Sequence, residues 1–194
     1  GYNGKYLKMY NEAVQPYISV SEFWDGTLPQ LNHLNAAGFN TMVFDFPLKY
    51  VLSNAIVKGS YGLLKKPTNS LRGKGYAKYA VTFIDNHDTF ERSDSKDNQF
   101  GGYNVDLKNA NVKAQILQAN AYILMMPGIP CVFWPHWKSY QKEINEMIAI
   151  RKLVGIHSES EVTDETSGAQ AYSAVIHGHR GKVILRLGQG REIS

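Results

Sequence analysis

Residues 80–92, "AVTFIDNHDTFER", combine an apolar run with a dense polar cluster. Five apolar or β-branched residues, 80–84, lead to Asp85, and four polar residues, 86–89, follow where the chain is expected to turn. The first part is typical of a buried strand. Burying polar side chains costs free energy unless they are paired, so this cluster indicates either a structural cap or a chemical site.

Strand patterns alternate with helix patterns along most of the chain. Four segments rich in β-branched and aromatic residues predict strands: "YISVSEFW" (17–24), "NTMVFDF" (40–46), "YAVTFIDN" (79–86) and "IPCVFW" (129–134). Helical spacing of apolar residues predicts helices at 6–14, 29–37, 47–57, 112–126 and 140–153. Strand–helix units in series imply parallel strands joined by right-handed crossovers, that is, an α/β fold.

The pattern changes after Gly155. Residues 169–177 and 182–188 alternate in hydrophobicity on either side of the turn "GHRG", which predicts an antiparallel hairpin. We therefore predict two domains, residues 1–157 with four βα units and residues 158–194 with the beginning of an antiparallel β-domain.

Composition limits the classes of function. The 194 residues are 43% hydrophobic and carry a net charge of +4 that is spread along the chain, which predicts a globular protein with no nucleic-acid partner. Apolar stretches are shorter than the roughly 20 residues that span a bilayer, so we expect no membrane segment. The single cysteine, Cys131, excludes an internal disulfide, and its apolar surroundings predict a buried side chain.

Two carboxylates follow predicted strands. Glu22 closes "YISVSE" and Asp88 lies just beyond "VTFIDN". The carboxyl ends of parallel strands lie at one end of the sheet, so both side chains are expected to face the same cleft there. Paired carboxylates suit glycoside cleavage, in which one donates a proton and another remains ionised. A helix cap or an ion-pair partner is the alternative for each residue.

Four segments resemble the α-amylases of glycoside hydrolase family 13. "VSEFWDG" is similar to the family's segment with the general acid, and "FIDNHDT" to the segment with the carboxylate that stabilises the transition state. "FDFPLK" and "AYILMMPGIPCVFWPHW" resemble its sixth and eighth strands. The resemblance implies that Glu22 is the proton donor, Asp88 the stabiliser, and His87 a hydrogen-bond partner of sugar hydroxyls. It also implies starch or maltooligosaccharides as substrate, cleaved at α-1,4-glucosidic bonds with retention.

Neighbouring residues have several interpretations. Trp24 is predicted to stack on a sugar ring, with core packing as the alternative. Trp134, His136 and Trp137 fit a substrate-facing rim or packing equally well. Asp85 and Asn86 are expected to orient the side chains that line this cleft. No metal site is predicted within this chain, because the pair formed by residues 177 and 179 has no evident third ligand.

The family's nucleophile lies in an arginine-bearing motif that this sequence does not contain. A (β/α)₈ (TIM) barrel needs eight strands in roughly 250 residues, whereas four precede the hairpin. We therefore predict the C-terminal half of a TIM barrel followed by part of an antiparallel β-domain. The isolated chain is expected to hydrolyse nothing, and its exposed half-barrel edges predict possible self-association. Calcium is expected in the intact enzyme, with ligands mostly upstream, although Gly1 could contribute one.

Three other functions are compatible with these residues. A transglycosylase or branching enzyme of the same family would share the carboxylates and exclude water from the intermediate. A non-catalytic glucan-binding module would lack the nucleophile altogether. A plain α/β interaction domain would use Glu22 and Asp88 as ordinary caps and would have no affinity for maltooligosaccharides.

Overall fold

A computed structural model describes residues 3–25, 30–65, 67–91 and 106–188. Within these ranges the helices are α1 (Gly4–Val14), α2 (Gln30–Ala36), α3 (Phe46–Val57), α4 (His87–Glu91), α5 (Ala110–Met125), α6 (Trp134–Ser139) and α7 (Gln141–Val154), with 3₁₀ turns at Tyr61–Leu64 and Ala77–Tyr79. The strands are β1 (Val20–Ser21), β2 (Met42–Phe44), β3 (Ala80–Thr82), β4 (Ile129–Pro130), β5 (Glu161–Ser167), β6 (Ala171–Gly178) and β7 (Gly181–Gly188).

Two sheets organise the described residues. The first has the order β1-β2-β3-β4 with every pair parallel, and helices connect its strands. The second has the order β5-β6-β7 with antiparallel pairs. The predicted α/β arrangement with a following hairpin is therefore confirmed. The predicted domain boundary near residue 158 falls between α7 and β5.

Local sequence explains where the main helices begin and end. Asp45 caps α3, since its carboxylate accepts a hydrogen bond from the Leu48 amide at 3.3 Å. Asn109 caps α5 in the same way through the Asn111 amide. Gly155 ends α7 in the left-handed conformation (φ 76°), which favours a residue without a Cβ.

Three elements were not predicted from the sequence: β5, α6 and the five-residue helix α4, where only a turn was expected. Strand β5 reads "EVTDETS", and its polar residues hide the alternation of an edge strand whose register shifts between Thr163 and Thr166. Asp164, with φ 48°, lies within this irregularity. Helix α6 is only six residues long, too short for an apolar period to appear.

The edge of the parallel sheet at β1 is apolar and exposed. The stripe that predicts α1 faces solvent, with Tyr6 64%, Tyr10 62% and Val14 54% exposed. Ile18 and Val20 beside β1 are exposed as well. Within the described residues β1 pairs only with β2, and β4 only with β3. Self-association through these edges stays a prediction.

The expectation that Cys131 is buried is wrong. Its side chain is exposed because it follows β4, which has a single strand neighbour in the described sheet. In the part of the chain that the structure describes, no helix has both the length and the apolarity to cross a bilayer.

One hydrophobic core joins the helices of the parallel sheet to the antiparallel sheet. Leu52 of α3 and Ile116 of α5 belong to the same buried cluster as Ile176 of β6 and Leu185 of β7. A smaller cluster, whose members include Leu34, lies between α2 and the parallel sheet. Because the two sheets share a core, the β-strands after α7 stabilise the helices before it.

A polar clamp lies at the junction of the two sheets. Arg72, in the loop before β3, forms an ion pair with Glu165 of β5, and their side chains are only 9% and 17% exposed. The Tyr172 hydroxyl donates to the same Glu165 oxygen, and the Arg72 guanidinium also donates to the Leu64 carbonyl at 3.0 Å. Removing one member would leave a largely buried charge without its partner.

We expect Glu165→Gln to lower the free energy of unfolding by about 2–4 kcal/mol, because the Arg72 charge loses its counter-charge in a site with little water. Urea denaturation of the 194-residue chain measures this loss. The matched control is Glu12→Gln on α1, whose ion pair with Lys8 is exposed and is expected to contribute less than about 1 kcal/mol. Equal losses in the two variants would contradict the structural role of the clamp.

Candidate active site

The candidate site lies at the carboxyl ends of the parallel strands. Glu22 is the first residue after β1, and residues 83–89 continue from β3 into α4. The Asn86 side-chain amide donates to Glu22 Oε1 at 3.5 Å, across a sequence separation of 64 residues. The structure thus brings the Glu22 segment and the segment of Asp88 together.

A reciprocal cap turns the chain from β3 into α4. The Thr89 amide donates to Asn86 Oδ1 at 2.8 Å, while the Asn86 amide donates to Thr89 Oγ1 at 2.9 Å. This is the geometry of a capping box, with Asn86 as the N-cap residue. Because α4 begins directly after Asn86, its first two residues, His87 and Asp88, stand at the carboxyl end of the sheet.

Asp88 and His87 are both accessible from solvent. The His87 Nε2 atom lies 3.6 Å from Asp88 Oδ2, and the two side chains are 78% and 37% exposed. Glu22 is exposed too. Strand alternation would place Glu22 on the same face as Ile18 and Val20, but these apolar neighbours are themselves exposed and do not bury the carboxyl.

The aromatic residues next to Glu22 pack on the protein. Trp24 stacks on Phe46 of α3, with ring centroids 4.9 Å apart, and its indole N–H donates to the Tyr50 hydroxyl at 3.1 Å. Phe23 stacks on His33 of α2 at 4.8 Å. One face and the N–H of Trp24 are therefore used internally, and a sugar could reach only the rest of the ring.

A buried ionisable group lies directly beneath α4. Asp85 accepts a hydrogen bond from the Thr89 hydroxyl at 2.9 Å, and its second oxygen lies 3.5 Å from His136 Nε2. Burial raises the pKa of Asp85 to about 7, against the opposing effects of Lys49 and the Thr89 hydrogen bond. Burial lowers the pKa of His136 to about 4, so this ring is neutral at pH 7.

The side chains that follow β4 have two different environments, one buried and one exposed. His136 is fully buried, which decides in favour of packing for this residue. Trp134 is 62% exposed and stacks on Trp137 with centroids 4.7 Å apart. The Trp137 indole N–H donates to Asn145 of α7 at 2.9 Å.

The described residues show no cluster of metal-binding side chains. They contain no group of three or more histidine, cysteine, aspartate or glutamate side chains that could hold a metal ion. His179 stacks on His157 at 4.2 Å, and His177 bonds the Thr163 hydroxyl at 2.9 Å. Gly1, the residue for which a calcium contact is predicted, lies outside the described ranges.

Sequence reasoning missed Thr89 and Lys49. Thr89 carried a signal, because Asn86-x-x-Thr89 has the spacing of a capping box at the start of a helix. Lys49 carried none: a lysine in a helix is usually exposed, and here it is fully buried.

The pKa of Asp85 is raised and that of His136 is lowered, so the two side chains should contribute to stability with opposite pH dependences. The His136 contribution is present above its ordinary pKa of 6.5 and is lost as pH falls towards about 4. The stability lost on His136→Gln should therefore shrink by up to about 2 kcal/mol between about pH 7.5 and about pH 5. Urea denaturation of wild type and variant at both pH values measures this change.

For Asp85→Asn we expect the opposite pH dependence of the stability loss. The Asp85 contribution is present below its ordinary pKa of 3.8 and is lost as pH rises through about 7. The stability lost on Asp85→Asn should consequently be larger at about pH 5 than at about pH 7.5. If both variants respond to pH in the same direction, the buried arrangement of this pair is contradicted.

Sequence comparison finds relatives along nearly the whole chain. The chain is 30% identical over 208 residues to alpha-amylase 3, chloroplastic, of Arabidopsis thaliana, covering 98% of the chain and 22% of the relative. It is 32% identical over 211 residues to probable alpha-amylase 2 of the same plant, covering 98% and 47%. The chain thus spans less than half the length of these curated relatives. No family model matches it.

Solved structures share the fold. The cyclomaltodextrin glucanotransferase CldA superposes with a TM-score of 0.64 at 17% identity, covering 97% of this chain and 42% of that one. AmyP in complex with maltose superposes with a TM-score of 0.64 at 13% identity, covering 86% and 44%. These similarities identify the chain as a homologue of the α-amylases of glycoside hydrolase family 13, with the fold of the C-terminal half of their (β/α)₈ barrel followed by the beginning of an antiparallel β-domain.

Proposed function

We propose that this chain supplies the acid and the stabilising carboxylate of a site that hydrolyses α-1,4-glucosidic bonds of starch-type glucans with retention. The observation that carries the proposal is the hydrogen bond from Asn86 to Glu22, because it joins the segments of both candidate carboxylates at one end of the sheet. Relatives named as α-amylases support the substrate class.

Glu22 is the proposed general acid. Its carboxyl is exposed beyond the end of β1, so the oxygen of a leaving sugar can approach it. One Glu22 oxygen accepts from Asn86, which leaves the other to hold the proton that is transferred. Protonation of the leaving oxygen avoids the release of an alkoxide, which is the main task of an acid in glycoside cleavage.

Asp88 is the proposed stabiliser of the transition state. An oxocarbenium-like sugar carries positive charge, and a fixed carboxylate close to it lowers its free energy. Asp88 is fixed because it lies in the first turn of α4, which the Asn86–Thr89 cap holds against β3. A position in the first turn also places its negative charge at the positive end of the helix backbone.

His87 and Trp24 are the proposed substrate-binding residues. The exposed His87 imidazole can hydrogen-bond sugar hydroxyls in the subsite next to Asp88. The Trp24 ring, which is only partly buried, can contact the apolar face of a pyranose. A structure of AmyP with bound maltose, which shares this fold, is compatible with an α-glucan ligand at such a site.

Retention requires a carboxylate nucleophile about 5 Å from the acid. The arginine-bearing motif that carries it in the family is not part of this sequence. The complete reaction therefore needs a nucleophile from outside these 194 residues.

In the natural gene product, Glu22→Gln should reduce kcat on maltoheptaose by about 10³-fold or more, because the amide cannot donate the proton. Its unfolding free energy should stay within about 0.5 kcal/mol of the wild type, since Glu22 is exposed. Proton NMR of the first product should show the α-anomer, as retention demands.

The matched control is Glu146→Gln, an exposed glutamate of α7 remote from the site, which should leave kcat unchanged. Unchanged turnover in Glu22→Gln would remove Glu22 from the acid role. Products longer than the substrate would reassign the reaction to glycosyl transfer.

The 194-residue chain assayed alone should release no reducing sugar from soluble starch, because no covalent glycosyl intermediate can form without the nucleophile. Reducing-end assays with the natural gene product as positive control measure this difference. Ordinary turnover by the 194-residue chain would contradict the proposed division of catalytic residues.

A further inference from the structure

Three ionisable side chains lie buried beneath the candidate site. Asp85, Lys49 and His136 belong to three different segments, the loop between β3 and α4, helix α3 and helix α6, and each is 3% exposed or less. None of them reaches the sugar-facing surface, so the proposed chemistry does not use them directly. Burying such groups costs free energy, which leads us to ask which residues of the candidate site they hold in position.

The first link from this buried set to the surface is the Thr89 hydroxyl. It has a single proton, and two acceptors are within reach: Asp85 Oδ1 at 2.9 Å and the Asn86 carbonyl at 3.3 Å. The carboxyl of Asp85 is the nearer acceptor, and its Oδ1 atom can accept the Thr89 proton whether or not the carboxyl is ionised. Donation to Asp85 leaves the lone pairs of Thr89 Oγ1 available to the Asn86 amide, which approaches to 2.9 Å.

The second link is the orientation of the Asn86 side chain. Its Oδ1 atom accepts from the Thr89 amide, so the amide plane is fixed by the start of α4. With Oδ1 used in this way, Nδ2 has to point to the opposite side, which is where Glu22 Oε1 lies at 3.5 Å. Thr89 thus reaches Glu22 through Asn86: its hydroxyl holds the Asn86 backbone amide, its backbone amide holds the Asn86 side chain, and that side chain contacts Glu22.

We propose that Thr89 is a positioning residue of the site: its hydroxyl, anchored by the buried Asp85 carboxyl, fixes the Asn86 backbone, its backbone amide fixes the Asn86 side chain, and Asn86 thereby holds the Glu22 side chain. Its role in catalysis rests on the proposed function, whereas the coupling between Thr89 and Glu22 does not. Thr89 itself is buried and touches no substrate.

The test compares two substitutions that differ in one group. Thr89→Val keeps the shape of the side chain and removes the hydroxyl, while Thr89→Ser keeps the hydroxyl. In the ¹⁵N-labelled 194-residue chain, Glu22→Gln should shift the side-chain amide resonances of Asn86. This response should be lost in the Thr89→Val background and retained in the Thr89→Ser background, a pattern that loss of stability alone would not produce. Thr89→Ala replaces Thr89→Val if the latter does not fold.

The catalytic consequence is measured separately in the natural gene product. Thr89→Val should lower kcat on maltoheptaose by about tenfold to a hundredfold with KM little changed, because a small displacement of an acid has effects of this size. Thr89→Ser should restore most of the rate. A wild-type protein without activity would contradict the proposed function but would not affect the NMR test of the positioning role. A response of Asn86 that persists in Thr89→Val, or is equally lost in Thr89→Ser, would overturn the positioning role.

Discussion

The reciprocal cap between Asn86 and Thr89 is the interaction on which the candidate site depends. It stops the chain from continuing the direction of β3 and starts α4 immediately, which places His87 and Asp88 at the carboxyl end of the sheet. The same cap directs the Asn86 amide towards Glu22 at the end of β1. A helix N-terminus needs partners for its free amides, and here those partners also orient the candidate acid.

Beneath this cap lie ionisable side chains that are buried in the protein interior. Burial raises the pKa of Asp85 and lowers that of His136, so the two side chains resist ionisation for the same physical reason although they are of opposite type. A second buried carboxyl, Asp45, follows β2 and binds backbone amides directly: it caps α3 and accepts from the Leu71 amide at 3.0 Å. Asp85 acts differently, because its hydrogen bond comes from the Thr89 side-chain hydroxyl.

The antiparallel sheet is part of the same cooperative structure. Its inner face contributes to the core that α3 and α5 bury, and the Arg72–Glu165 pair closes the junction with a charge interaction. Exposed apolar side chains are present along α1 and β1, where Tyr6, Tyr10 and Val20 face solvent.

The order of the main helices and strands can be predicted from local sequence, because hydrophobic periodicity, helix caps and turn residues act between residues that are close in the chain. The sequence predicted the four parallel strands, the hairpin of β6 and β7, and Glu22 and Asp88 at strand ends. It did not predict β5, whose polar residues pair at an edge, nor the exposure of Cys131, which depends on how many strands cover β4. Only the tertiary structure decided that Lys49 and His136 are buried and that Asn86 contacts Glu22. These properties arise when residues far apart in the chain share a space with little water, and local patterns carry no information about that space.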